Sequence, residues 1–121
     1  MPEFMMILCD IEGEKEAKLT PEEHRQHYAR IGKWWDEHEA AGRIVAGVAR
    51  RLKRTKTART VRIRDGKATV TDGPFAETKE AMGGFGILDV PDMQAAVDLV
   101  STWPGTIETI EIRPIMTPPT E

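Results

Sequence analysis

The chain has 121 residues, a formal net charge of −3 and a sequence pI of about 5.7. That length suits one domain with one core, which would bury roughly 65% of the surface the unfolded chain exposes. With 40% apolar and 31% charged residues, the composition excludes disorder along most of the chain, and its mildly acidic balance gives no drive towards nucleic acid.

Residues 4–9, Phe-Met-Met-Ile-Leu-Cys, form a continuous apolar run that predicts a strand buried on both faces or central in a sheet. The run is far too short to cross a membrane and carries no preceding positive charge, so it is not expected to be a signal peptide. Cys9 is the single cysteine. It excludes an intramolecular disulfide, fits a reducing, cytoplasmic compartment and is expected to be a small core residue. Residues 10–18 are polar and predict a loop. Thr20, Pro21 and Glu23 then make a helix start of N-cap, first-turn proline and capping box. The helix should run over 21–41 and stop at Gly42, with Tyr28, Ile31, Trp34, Trp35 and His38 as its inward stripe.

Residues 44–52 predict a second strand, followed by the basic stretch 50–59, expected to be a solvated loop. Residues 60–64 and 67–71 alternate apolar with polar about Asp65-Gly66, the pattern of a two-residue hairpin turn. Counting outward from that turn sets Ile63 opposite Ala68, Val61 opposite Val70 and Arg59 opposite Asp72, so an acid and a base meet where the apolar face ends. Gly73-Pro74-Phe75 predicts an extended turn, 76–82 a polar connector and 85–90 a strand. Asp92 should cap a second helix to about Trp103, with Met93, Ala96, Val97, Val100 and Trp103 inward. Residues 106–115 predict a last strand and 117–121 a flexible tail, leaving 1–116 as a single domain. The order is βαββαβ with an inserted hairpin, an α+β plan with both helices on one face of an antiparallel sheet. The other face needs a cover, and a second copy of the chain is the simplest one.

The stretch Val70-Thr71-Asp72-Gly73-Pro74-Phe75-Ala76-Glu77-Thr78-Lys79-Glu80, then Gly83-Gly84-Phe85 and the closing Glu111-Ile112-Arg113-Pro114, resembles the signature of the DGPF branch of the YCII-related proteins. The likeness extends over residues 4–115. It implies a ferredoxin-like fold of the dimeric α+β-barrel type, and a partnership with an extracytoplasmic-function sigma factor through the gene neighbourhood common in that branch. Some relatives in the wider group are thought to use a His-Asp pair. His24 and His27 lie on the corresponding helix but at a different distance from the glycine that ends it, so that role is not carried onto them.

Asp72, Glu77, Lys79 and Glu80 place four ionisable groups within nine residues, on a loop fixed by Gly-Pro beside Phe75. Such a loop can position an acid and a base. Asp72, Glu77 and Lys79 are the candidate catalytic groups; Arg59, Phe75, Glu80 and Arg113 are the candidate ligand contacts. Arg113 would anchor an anion through its guanidinium. The competing reading makes Asp72 a turn cap and the rest a solvated or interfacial ion network. His24 and His27 stand three apart and could share a metal, but no spacing selects a third ligand, so no metal is expected. There is no phosphate loop, dinucleotide fingerprint or nucleophile elbow, and no cofactor is expected. Two functions follow: an acid–base enzyme on a small anionic substrate, or a non-catalytic regulatory dimer that binds another protein.

Overall fold

The computed structural model describes residues 2–10, 14–74 and 81–118. The apolar run near the start forms strand β1 (Glu3–Asp10), with Phe4, Met6 and Leu8 buried and the residues between them half-buried. Side chains of a strand alternate between faces, so β1 presents one fully covered face and one partly covered face. A short helix α1 (Glu14–Ala17) follows within the stretch expected to be a loop. Helix α2 (Pro21–Ala40) starts as its sequence dictates. The Thr20 side chain accepts a hydrogen bond from the Glu23 amide at 3.2 Å, and the Glu23 carboxylate accepts one from the Thr20 amide at 2.9 Å.

The expected strand over 44–52 is reduced to β2 (Arg50–Arg51) and one isolated bridge at Ile44. Gly47 adopts a left-handed φ of 77° inside a turn that takes the intervening residues out of the sheet. Strands β3 (Arg59–Arg64) and β4 (Lys67–Asp72) form a separate two-stranded sheet in the register read from the sequence, with Arg59 opposite Asp72 and Val61 opposite Val70. Asp65 and Gly66 both have positive φ, 51° and 75°, as a primed turn requires.

Strand β5 (Ala81–Asp89) begins earlier than expected, so Ala81 and Met82 belong to the sheet rather than to a connector. Asp92 caps α3 (Met93–Val100) by accepting a hydrogen bond from the Ala95 amide at 2.8 Å. Its buried residues are Ala96, Leu99 and Val100, whereas Met93 and Val97 are exposed. Strand β6 (Thr109–Pro114) completes the main sheet.

That sheet has the antiparallel order β2-β5-β1-β6 and stays open, the arrangement of a ferredoxin-like α+β fold. Phe4 pairs with Leu88, Met6 with Gly86 and Ile112, and Leu8 with Gly84 and Ile110. These residues share the covered face and make the core with Trp34 of α2 and Ala96, Leu99 and Val100 of α3. Met5, Ile7, Phe85 and Ile87 lie on the opposite face, away from the core helices.

Candidate functional site

Two glycines on the covered face of β5 determine the shape beneath α2. A Cβ at Gly86 would stand 2.9 Å from Trp35 Cη2, and one at Gly84 would stand 2.9 Å from the Arg50 carbonyl oxygen. Both distances are too short for a side chain, so the glycines let an indole lie on the sheet and let β2 approach closely. Trp34, Trp35 and Trp103 pack edge to face, with ring centroids 5.1–5.7 Å apart, a favourable geometry for aromatic quadrupoles. Trp34 donates to Thr102 Oγ1 at 2.8 Å.

Beside this cluster is a cavity of about 290 Å³, bounded by the ends of β1 and β5, α1, α2, β2 and the segment that follows α3. Leu8, Ile31, Trp35, Trp103 and Ile107 give it apolar walls; Asp10, Glu16, His27, Tyr28, Glu39, Arg50 and Arg51 bring polar groups to it. Small-molecule sites typically combine such an apolar lining with a few placed polar groups.

One side of the cavity is a closed ion-pair network. Arg51 donates to both Glu16 oxygens, at 3.1 and 2.6 Å, and to the Tyr28 hydroxyl at 2.7 Å; Tyr28 in turn donates to Glu16. The Glu16 side chain is only 13% exposed. Burial by itself would raise its carboxyl, but the hydrogen bonds from Arg51 and Tyr28 and the Arg51 charge outweigh it and hold the group below its ordinary value. The Glu16 hydrogen bonds raise Arg51 still further above neutral pH. Fork-to-fork pairing of this kind fixes both side chains.

His27 meets the network edge-on at Tyr28, with ring centroids 5.7 Å apart, and is 3% exposed. Its Nε2 accepts a hydrogen bond from the Thr106 amide at 3.1 Å, which places the proton of the neutral ring on Nδ1. Burial lowers its pKa, against the opposing pull of Glu16. The ring is therefore neutral at pH 7 and offers one donor. Among the described residues neither His27 Nδ1 nor Trp103 Nε1 has a hydrogen-bond partner. His24 stacks on Tyr28 and stands 3.9 Å from Glu16. Among the described residues no three metal-ligating side chains come together.

Of the residues singled out from sequence, the described ones, Arg59, Asp72 and Arg113, are placed away from this cavity. Arg59 and Asp72 meet at 3.5 Å at the hairpin's end, with side chains 75% and 91% exposed, where an ion pair is strongly screened. Arg113 pairs with Met5 in the sheet and so lies on the face away from the cavity. Phe75, Glu77, Lys79 and Glu80 lie outside the described residues. Sequence reading missed Glu16, Tyr28, His27 and Arg51 as a group, because contacts between positions up to 35 residues apart leave no local pattern. The Gly83-Gly84 pair was the available signal, since adjacent glycines in a strand mark a close approach.

No helix among the described residues is long and apolar enough to cross a membrane. Residues 4–117 match the profile of the YCII-related domain. The chain is also similar to an uncharacterized protein of Rhizobium meliloti (strain 1021), 31% identical over 113 residues, which span 90% of this chain and 89% of that one.

Proposed function

The chain belongs to the YCII-related domain family, and on that premise we propose that it is a small-molecule-handling homodimer of the DGPF branch. The observation that carries this reading is the cavity beside Trp35 and Trp103, where apolar walls surround a neutral, buried histidine. The chemistry it suits is acid–base. Asp10 or Glu39 would accept a proton from the bound molecule, while His27 Nδ1–H donates to an oxygen on which charge develops. Glu16 is held ionised by Arg51 and Tyr28 and serves to position β2 rather than to exchange protons.

A thermal-shift screen against small metabolites tests this reading with three variants alongside the native chain. A compound at a hundred times its dissociation constant should stabilise the protein by about 2.7 kcal/mol. The shift should vanish in Asp10→Asn or His27→Gln and persist in Asp72→Asn. Loss in Asp72→Asn alone would move the site to the Gly-Pro loop. The homodimer would form through the sheet face that carries Met5, Ile7, Phe85 and Ile87, away from the core helices. Sedimentation equilibrium should then give twice the chain mass of 13.6 kDa, reverting to one chain in Ile87→Glu.

One observation favours a second reading, a non-catalytic dimer that binds a protein such as a sigma factor. Val61, Ile63 and Val70 are 55%, 73% and 54% exposed on a hairpin outside the main sheet, and exposed apolar stripes are common docking surfaces. A partner captured by the native chain and lost in Ile63→Lys would support it.

A further inference from the structure

Resting on the cavity reading above, we infer that the ligand is a flat, uncharged molecule presenting a carbonyl-type oxygen, received by the His27 and Trp103 N–H groups. Two features of the cavity carry this. The first is its unused hydrogen-bonding capacity. Nδ1 of His27 and Nε1 of Trp103 are both buried and without a partner among the described residues. Nε2 of His27 is already taken by the Thr106 amide, so what the ring has left to offer is a donor, as is the case for any indole. Thr106 follows Gly105, whose Cα region lies against Trp103 Nε1; a Cβ there would meet it at 2.7 Å. The 105–106 segment thus meets His27 at Nε2 and Trp103 at Nε1. A buried donor left unpaired is costly, and a small turn of either ring towards an entering acceptor oxygen would relieve it.

The second feature is charge. The cavity lining carries three carboxylates, Asp10, Glu16 and Glu39, against the guanidiniums of Arg50 and Arg51. The Arg51 charge is already paired with a carboxylate. Arg51 is engaged by Glu16 and Tyr28, and Arg50 Nη1 donates to the Gly47 and Ala49 carbonyls at 2.9 and 2.7 Å. Arg113, the anion anchor expected from sequence, lies on the other face of the sheet. A carboxylate entering here would meet a net negative lining, whereas a ketone or amide oxygen would satisfy both donors with no charge to neutralise. The indole walls of Trp35 and Trp103 suit a flat ring.

The test uses matched aromatic pairs that differ in charge: acetophenone against benzoate, and 2-acetonaphthone against 2-naphthoate. Binding is followed through the tryptophan indole N–H signals in proton–nitrogen NMR, with Trp103 assigned from Trp103→Phe. The ketones should bind at least tenfold more tightly than their carboxylates and move the Trp103 signal, leaving Trp34, already bonded to Thr102, the least affected. Trp103→Phe keeps an aromatic side chain, a smaller one, and loses the donor, so it should weaken ketone binding by about tenfold or less, and His27→Phe should do the same. Carboxylates binding as well as ketones at the cavity tryptophans would overturn the uncharged class while leaving the cavity as the site. Ketone binding that leaves the Trp103 indole unmoved would overturn the donor assignment. If no probe in either series perturbs Trp35 or Trp103, both this inference and the cavity reading fall.

Discussion

Arg51 illustrates how little a residue's neighbours in sequence say about its role. It sits in a run of seven positions holding four other basic residues, Arg50, Lys53, Arg54 and Lys56, which reads as a solvated loop. Yet its guanidinium closes a network with Glu16 and Tyr28 on the cavity wall. The two partners are unequally covered, since the Arg51 side chain is 58% exposed and that of Glu16 only 13%. Removing the arginine therefore matters more than removing the carboxylate, because it leaves the less solvated charge without its main partner. Arg51→Met keeps most of the aliphatic stem and deletes the charge. It should raise the Glu16 pKa, read from carbon-detected NMR titration of the carboxyl, and lower stability by about 1–3 kcal/mol in urea unfolding. An unchanged Glu16 titration would mean that the network does not persist in solution.

At the scale of elements, legibility follows how local the determinant is. The start of α2 was readable because Thr20 and Glu23 satisfy each other's backbone amides within one turn, and the β3–β4 register because Asp65-Gly66 fixes it. Thr20→Ala should cost about 1 kcal/mol. Glu23→Ala added to it should cost much less than it does alone, since the box acts as a pair; a double-mutant cycle in urea checks this. β2 was not readable. The sequence of 44–52 has strand character throughout, but its strand is two residues long, ending where Gly84 allows the Arg50 carbonyl to approach. Its length is limited by the turn at Gly47, and its position is set from β5, more than thirty positions away. Gly84→Ala would push β2 outward and carry Arg51 with it. Its expected signature is a stability loss of about 1–3 kcal/mol together with a raised Glu16 pKa, linking the strand's position to the network. A destabilised variant with Glu16 unshifted would show that β2 relaxes without moving Arg51.

For the whole molecule, the fold was legible and the cavity was not, for one physical reason. Strand and helix patterns record which face of each element is buried, and those faces assemble in few ways. The cavity is what remains where six separate segments fail to fill the space between them, a property of their relative placement. His27 makes the point, for its position on α2 reads as one of two surface or core histidines, and only the Thr106 amide and the adjoining network define its state. That state has a consequence for the entire chain. Burial lowers the pKa of His27 and of His38, in each case as the largest cause, from an ordinary value of 6.5. As pH falls below about 6.5 the unfolded chain takes up protons on both rings before the folded chain does. The unfolded state then binds more protons, so stability declines with acidification. The stabilisation is fully present above that value and is lost as pH passes down through the lowered folded-state values. Calorimetric Tm at constant ionic strength should therefore hold steady from pH 8 to 7 and fall from about pH 6.5 downward, well before the carboxylates begin to titrate. His27→Gln, measured across the same range, should flatten the part of that decline due to its ring, and His38→Gln the remainder. A native Tm that stays level or climbs between pH 7 and 5.5 would mean that His27 is already able to accept a proton in the folded chain, and the neutral donor on which the site depends would be lost with it.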